Sequence, residues 1–219
     1  MTQMMHTFLG ILAALAMGVA TVVQVTLGAF LIACVLGLAL AVLRVFGRHR
    51  LPLWLLSIYV EWMRNVPALA HLFLLYFGLA AVGVRLSPLC AAVTGLGLVG
   101  AAVLCDVFAA GLRSLHMGQR EAALAVGLAP GQVLRFVLVP QMLRVTFPSL
   151  TNYAVVLIKD TSIASAIAAP EIMFLARNLV TSTFETVLIY LAAMLLYAAL
   201  VWPVTWGFRR IELRMEGVR

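Results

Sequence analysis

Charge is scarce in this sequence. Only 11% of its 219 residues are Asp, Glu, Lys or Arg, against 64% hydrophobic. A soluble domain keeps a substantial polar exterior, so this composition excludes one and points to a chain solvated by lipid. Lysine is all but missing, and Lys159 is the sole example. It follows Val155-Val156-Leu157-Ile158 and precedes Asp160, so no Gly-rich loop ends in Lys-Ser or Lys-Thr. Without that phosphate cradle the chain has no motif for binding ATP. Cysteine is limited to Cys34, Cys90 and Cys105, with no Cys-x-x-Cys pair, which argues against a disulfide framework or a zinc site. His6, His49, His71 and His116 are scattered without metal-ligand spacing. Gly-x-Ser-x-Gly and His-Glu-x-x-His are both absent, which weighs against an intramembrane enzyme. No cofactor and no enzymatic activity are expected.

What is present is organised by the bilayer. A net charge of +7 can signal nucleic-acid binding, but the arginines cluster at the ends of apolar runs and form no stripe with interleaved aromatics. No Lys or Arg precedes Arg44, so a secretory n-region is lacking and the N-terminus reads as mature sequence. A span needs about 20 apolar residues. Five spans follow, at 18–43, 53–81, 88–112, 148–169 and 185–207, with 1–17 as an interfacial lead-in and 209–219 as a basic tail. Arg44, Arg48, Arg50, Arg113, Arg120, Arg135, Arg144, Arg209, Arg210, Arg214 and Arg219 collect on one side; the other receives Arg85 and Arg177. That bias places the arginine-rich side in the cytoplasm, with the N-terminus outside and the C-terminus inside. The expected fold is an all-α membrane bundle of about five transmembrane helices.

The longest connection, residues 113–147, is of a length that is either disordered or functional in a compact protein, and it is not low-complexity. Gln119-Arg120-Glu121-Ala122-Ala123-Leu124-Ala125-Val126 is a run of good helix formers. Gly127 then supplies a left-handed terminator, with Leu128 able to pack back. Pro130 can start a second short helix, expected to end before Pro140. The small residues Ala122, Ala123 and Ala125 would let another protein surface approach closely. Helix signals alone leave two readings open: a docking surface for another protein, or a hairpin packed on its own bundle.

Further motifs bear on this choice. Glu121-Ala122-Ala123, Gly127 and Val137-Leu138-Val139-Pro140 resemble the EAA loop of ABC-importer permeases, with valines in the last element. The 59–69 stretch, Tyr-Val-Glu-Trp-Met-Arg-Asn-Val-Pro-Ala-Leu, is similar to the polar amino-acid branch of that family, as are Leu72 to Leu79 and Lys159-Asp160-Thr161-Ser162. Asn65-Val66 stand where Gly-Thr is common, and Asp106 where Glu is usual. The resemblance covers residues 18–210. It implies a type I permease domain in the bacterial cytoplasmic (inner) membrane, with the 113–147 loop as a coupling helix. It also implies separate ATP-binding-cassette ATPase subunits, a second identical or related permease subunit, and an extracytoplasmic amino-acid-binding protein. Glu121, Ala122, Ala123, Gly127 and Pro140 would then couple to the ATPase. A permease for another small polar nutrient, or a channel or scaffold without an ATPase, is the alternative; a channel would not need the coupling loop.

Charges inside apolar runs each cost at least about 2.5–3.5 kcal/mol at the bilayer centre and should face protein or water. Glu61 and Arg64, three apart, share a helical face and can pair with each other. Pro67 kinks their helix by removing the bond to the Met63 carbonyl. Polar groups beside a broken helix suit a translocation path or gate, while a purely structural ion pair is the other reading. Asn65 belongs with that group. Asn152, Lys159, Asp160, Thr161 and Ser162, near the middle of the fourth span, are expected to line the translocation path or the subunit interface around it, with interhelical packing through hydroxyls as the other reading. Asp106 is expected to serve as a structural partner for loop arginines.

Overall fold

The computed structural model describes the backbone of residues 2–216 and the side chains of residues 5–214. Met1 and the end of the basic tail, residues 217–219 with Arg219, lie outside the described residues. The described chain is helical throughout and contains no strand. Four helices are long and apolar enough to cross a membrane, or five if one bent pair counts as a span.

Helix α1 (Thr2–Ala16) and helix α2 (Val19–Phe46) are separated by a turn at Met17-Gly18. The turn packs closely, since a Cβ on Gly18 would stand 2.6 Å from the Ile172 backbone nitrogen. Along α2 the buried positions are Val22, Val25, Ala29, Ala33, Gly37 and Ala41, a three-to-four spacing that puts small residues on one face. That face meets α5 (Pro88–Ser114) over most of its length. Small residues bring the two backbones together: a Cβ on Gly97 would lie 2.8 Å from Ile32. Such close approach is how membrane helices gain packing energy when lipid offers no hydrophobic drive. Helix α5 is the centre of the bundle, with more than half of its most apolar stretch buried.

Between α2 and α5 the expected second span is two helices, α3 (Arg50–Asn65) and α4 (Ala68–Ala81), bent by 107°. This is a break rather than a kink. The ring of Pro67 excludes the helical conformation from Val66, whose ψ is 136°. Leu72 then buries against Gly95 of α5, which fixes the new direction.

After α5 comes α6 (Met117–Ala125), then α7 (Pro130–Ile167), a continuous helical run of 38 residues. The second hairpin helix therefore does not end before Pro140, and the fourth span has no boundary at residue 148. A π-helical turn at Val133–Leu138 explains the continuity. The Val139 N–H donates to the Leu134 carbonyl, five residues back, so the helix is already widened where the Pro140 ring enters. The last turns of α7, Thr161–Ile167, are 3-10 helix and stop at Ala168, which takes a left-handed φ of 60°. Helix α8 (Ile172–Thr183) fills the connection between the fourth and fifth apolar runs, and α9 (Thr186–Glu216) closes the bundle along α1 and α7. Little of its apolar length is buried, so most of α9 faces outward.

Candidate functional site

Two regions carry the sequence-derived site residues: the α6 hairpin at the arginine-rich end, and the surfaces around the α3–α4 break and the end of α7. The hairpin is rigidly built. His116 caps α6 through Nδ1, which accepts from the Gly118 N–H at 3.1 Å. At the other end Gly127 has φ 88°, and the Leu128 N–H donates to the Ala123 carbonyl at 3.2 Å. That six-to-one bond is the Schellman closure that a left-handed glycine permits. Leu128 and Ala123 both pack into the core cluster with Val133 and Leu138. Gln141 Nε2 donates to Gln119 Oε1 at 2.6 Å and ties α6 to α7.

The hairpin residues therefore divide. Glu121, Ala122, Gly127 and Pro140 are exposed, whereas Ala123 is buried. The Ala123 methyl packs between α6 and the start of α7, and the residue reaches the surface only at the floor of the groove beside the hairpin. The most exposed large apolar residues of the hairpin are Val126, at 78%, and Met117, at 70%. The groove, of about 600 Å³, runs beside Val126 and is lined by His116, Gln119, Ala122 and Val137 among others.

At the break, the expected Glu61–Arg64 pair is not formed. Arg64 crosses to α5 and pairs with one oxygen of Asp106, while Arg44 from the last turn of α2 takes the other. Glu61 instead accepts from Asn65 Nδ2 at 2.9 Å. A carboxylate within the bundle gains more from two cations than a half-solvated Glu61 gains from one, so the longer reach wins. Asp106 is thus a structural partner of arginines, but of Arg44 and Arg64 rather than those of the 113–147 loop.

Arg64, Asn65 and Pro67 line a cavity of about 360 Å³ against Val99 and Val103 of α5. An adjoining cavity of about 410 Å³ shares Ala68, Val99 and Val103 and is lined on its far side by Asn152, Tyr153 and Asp160 of α7. The fold thus brings Arg64, Asn65, Pro67, Asn152 and Asp160 to one cleft, basic at one end and acidic at the other. Glu61 is not part of it and lines a different groove with Trp54, Ser57 and Trp62.

Lys159 and Asp160 lie where α7 changes from α to 3-10 winding. The change has a local cause. The Thr161 hydroxyl donates to the Ile158 carbonyl at 2.7 Å and that of Ser162 to the Lys159 carbonyl at 2.8 Å. Such back-bonding competes with regular helix bonds. Thr161 is fully buried, so it shapes the backbone and is not open to a passing solute. Lys159 is exposed, and among the described residues the ion pairs involve Asp106 alone.

Sequence reasoning missed three residues. Tyr153 stacks on Phe30 and fills the space beside Gly100, where any Cβ would overlap its hydroxyl. Glu171 is fully buried and caps α8, accepting from the Met173 and Phe174 N–H groups at 2.8 and 2.7 Å. Tyr197 of α9 donates to the same carboxylate at 2.6 Å. Burial pushes the Glu171 carboxyl above its ordinary value, opposed by these three bonds and by Arg177. A tyrosine inside an apolar run, needing a partner for its hydroxyl, was the available signal.

Comparison with known proteins finds a match over residues 33–217 to the family described as binding-protein-dependent transport system inner membrane component. The probable glutamine ABC transporter permease protein GlnM of Bacillus subtilis is 34% identical over 182 residues, 83% of this chain and 84% of that protein. The probable amino-acid ABC transporter permease protein PatM of Vibrio harveyi is 36% identical over 187 residues, 83% and 81% of the two chains. A crystal structure of an amino acid ABC transporter with histidines superposes with a TM-score of 0.81 at 24% identity, covering 96% of both chains.

Proposed function

The chain belongs to the binding-protein-dependent transport system inner membrane components, and from that premise we propose that it carries polar amino acids inward as the permease half of an ABC importer. It is a multi-pass protein of the cytoplasmic membrane. The observation that carries the reading is the EAA-type pattern, Glu121-Ala122-Ala123 with Gly127, held on an exposed, doubly capped hairpin in a chain of this family. The amino-acid substrate is supported by the relatives' names.

In this reading the arginine-rich end faces the cytoplasm and α6 docks in a separate ATPase subunit, with Glu121, Ala122 and Val126 outermost. The Gln119–Gln141 bond and the Schellman closure make the hairpin stiff, so force on α6 passes into α7 rather than bending a loop. Helix α7 runs without interruption from Pro130 to Asp160, and so joins the docking surface directly to the acidic end of the cleft. A solute bearing both an ammonium and a carboxylate suits a cleft with Asp160 at one end and Arg64 at the other. Lys159 stands beside the path as a mobile cation. A second permease covers the outer face of α3, where Trp54, Ile58 and Trp62 surround the exposed Glu61. A carboxylate turned to lipid would carry the insertion cost of about 2.5–3.5 kcal/mol, and a partner subunit removes it. An extracytoplasmic binding protein delivers the solute to the opposite end.

Two measurements test this. A cysteine at Val126 in a variant lacking the three native cysteines should cross-link to an ATPase subunit in native membranes, while one at the buried Ala123 should not. Lys159→Met should abolish uptake with the assembled complex intact. Absence of the Val126 cross-link, or wild-type uptake by Lys159→Met, would overturn the corresponding part of the proposal.

A further inference from the structure

A cavity of about 350 Å³ lies between the last turn of α2 and the hairpin, walled by Val42 and Phe46 of α2, Leu124 of α6 and Leu134 of α7. Arg48 and Arg120 also line it, and no acidic residue does. The Arg120 guanidinium sits 5.8 Å from the centre of the Phe46 ring, which draws the cation over the apolar wall. Among the described residues neither arginine has an ion-pair partner: Asp106 is taken by Arg44 and Arg64, and Glu121, next to Arg120 in the chain, pairs with neither. Two guanidinium groups therefore face one apolar hollow without a counter-ion.

The hollow lies beside the C-terminal turn of the apolar α2, where a span gives way to the charged segment Arg48-His49-Arg50. That is headgroup depth on the arginine-rich side. We propose that this cavity is a binding site for an anionic phospholipid, with an acyl chain against Val42, Phe46 and Leu134 and its phosphate between Arg48 and Arg120. A free anion would leave the apolar walls wet, and a zwitterionic lipid would leave the two cations uncompensated. An anionic amphiphile satisfies both. Wedged between α2 and α6, the lipid fixes the hairpin to the bundle and so sets how firmly motion of α6 is passed on. Lipid binding requires the hairpin to face the inner leaflet, as proposed above, but does not require an ATPase to dock there.

The test is native mass spectrometry of the full-length chain, titrated with phosphatidylglycerol or phosphatidylcholine, for wild type, R48A/R120A and R48K/R120K. Each arginine near the surface is worth about fivefold in anionic-lipid affinity, so R48A/R120A should bind phosphatidylglycerol about thirtyfold more weakly. R48K/R120K should keep most of the affinity, and phosphatidylcholine should bind all three alike. Equal phosphatidylglycerol binding by wild type and R48A/R120A would overturn the site. So would displacement of the lipid by millimolar inorganic phosphate, which would mark a free-anion site instead. The Val126 cross-link, read in the same variants, reports ATPase docking separately, so either idea can fail while the other stands.

Discussion

The two places where a helical run is interrupted near the cleft are held in opposite ways. At the α3–α4 break the polar ties are the Arg64–Asp106 pair and the Asn65–Glu61 bond, with Glu61, Arg64 and Asn65 all exposed, and the buried contact is the apolar one of Leu72 on Gly95. At the α7–α8 break an exposed bond from Arg177 to the Ser165 carbonyl is joined by Glu171, with no exposed surface and three donors on its two oxygens. Gly18 closes against the same corner so tightly that no side chain fits. Exposed charges can exchange one partner for another, or for water, at little cost. A buried carboxylate cannot release its donors without leaving them unsatisfied. The contrast assigns motion to the first break and anchoring to the second, and the cleft lies between a joint and a fixed post.

The sharpest way to break this comparison is to remove the post. Glu171→Ala strips the cap from α8 and leaves the Tyr197 hydroxyl without its acceptor, so about 3 kcal/mol of stability should be lost. Glu171→Gln keeps an oxygen for Met173 and Tyr197 and should cost about 1 kcal/mol. Unfolding midpoints in detergent measure both. Because burial raises the Glu171 carboxyl, the folded state holds its proton more tightly than the unfolded chain does. Its share of stability is therefore full below the ordinary value of 4.5 and declines as pH rises toward the raised value. Glu171→Gln should flatten that part of the pH profile, and an unchanged slope would show that the carboxyl does not titrate there. At the joint, Asp106→Asn frees Arg64, half exposed, and Arg44, about a quarter exposed, and should cost only about 1 kcal/mol. Its effect on the spread of spin-label distances between α3 and α5 should be larger than its effect on stability. A loss equal to that of Glu171→Ala would make the two breaks alike.

Much of the bundle was legible because lipid imposes one demand on every span, a long apolar run ending in arginine. The turn at Gly127 was legible for a similar reason, since few residues besides glycine adopt φ 88° at low cost. The long reach of Arg64 to Asp106 was not, because helical spacing ranks Glu61 as its neighbour and says nothing of a residue 42 positions away. Pro140 read as a stop signal, and only the π turn before it, a backbone adjustment without a residue signature, lets α7 continue. Glu171 sits between apolar runs, where an acid looks like part of a solvated loop. Its burial depends on Gly18 and Tyr197, brought from both ends of the chain. Of the candidate site, the residue types were readable and their grouping was not. Glu61 and Arg64 share a helix yet line different cavities, while Arg64 and Asp160, nearly a hundred positions apart, line adjoining ones.

The smallest expected effect concerns the origin of the 107° bend. If the Pro67 ring alone makes it, Pro67→Ala should let residues 50–81 straighten into one helix. If packing makes it, the break should persist, because Leu72 would still be buried against Gly95 and Arg64 still paired with Asp106. The second outcome is expected, at a cost of about 0.5–1 kcal/mol, since the φ of −56° at Pro67 is unstrained and the loss arises mainly from a freer unfolded chain. A spin-label distance between Trp54 and Phe77 positions reads the bend directly. A lengthened distance in Pro67→Ala would transfer control of the bend from packing and exchangeable charges to a covalent ring, and the α3–α4 break would then be a second fixed post.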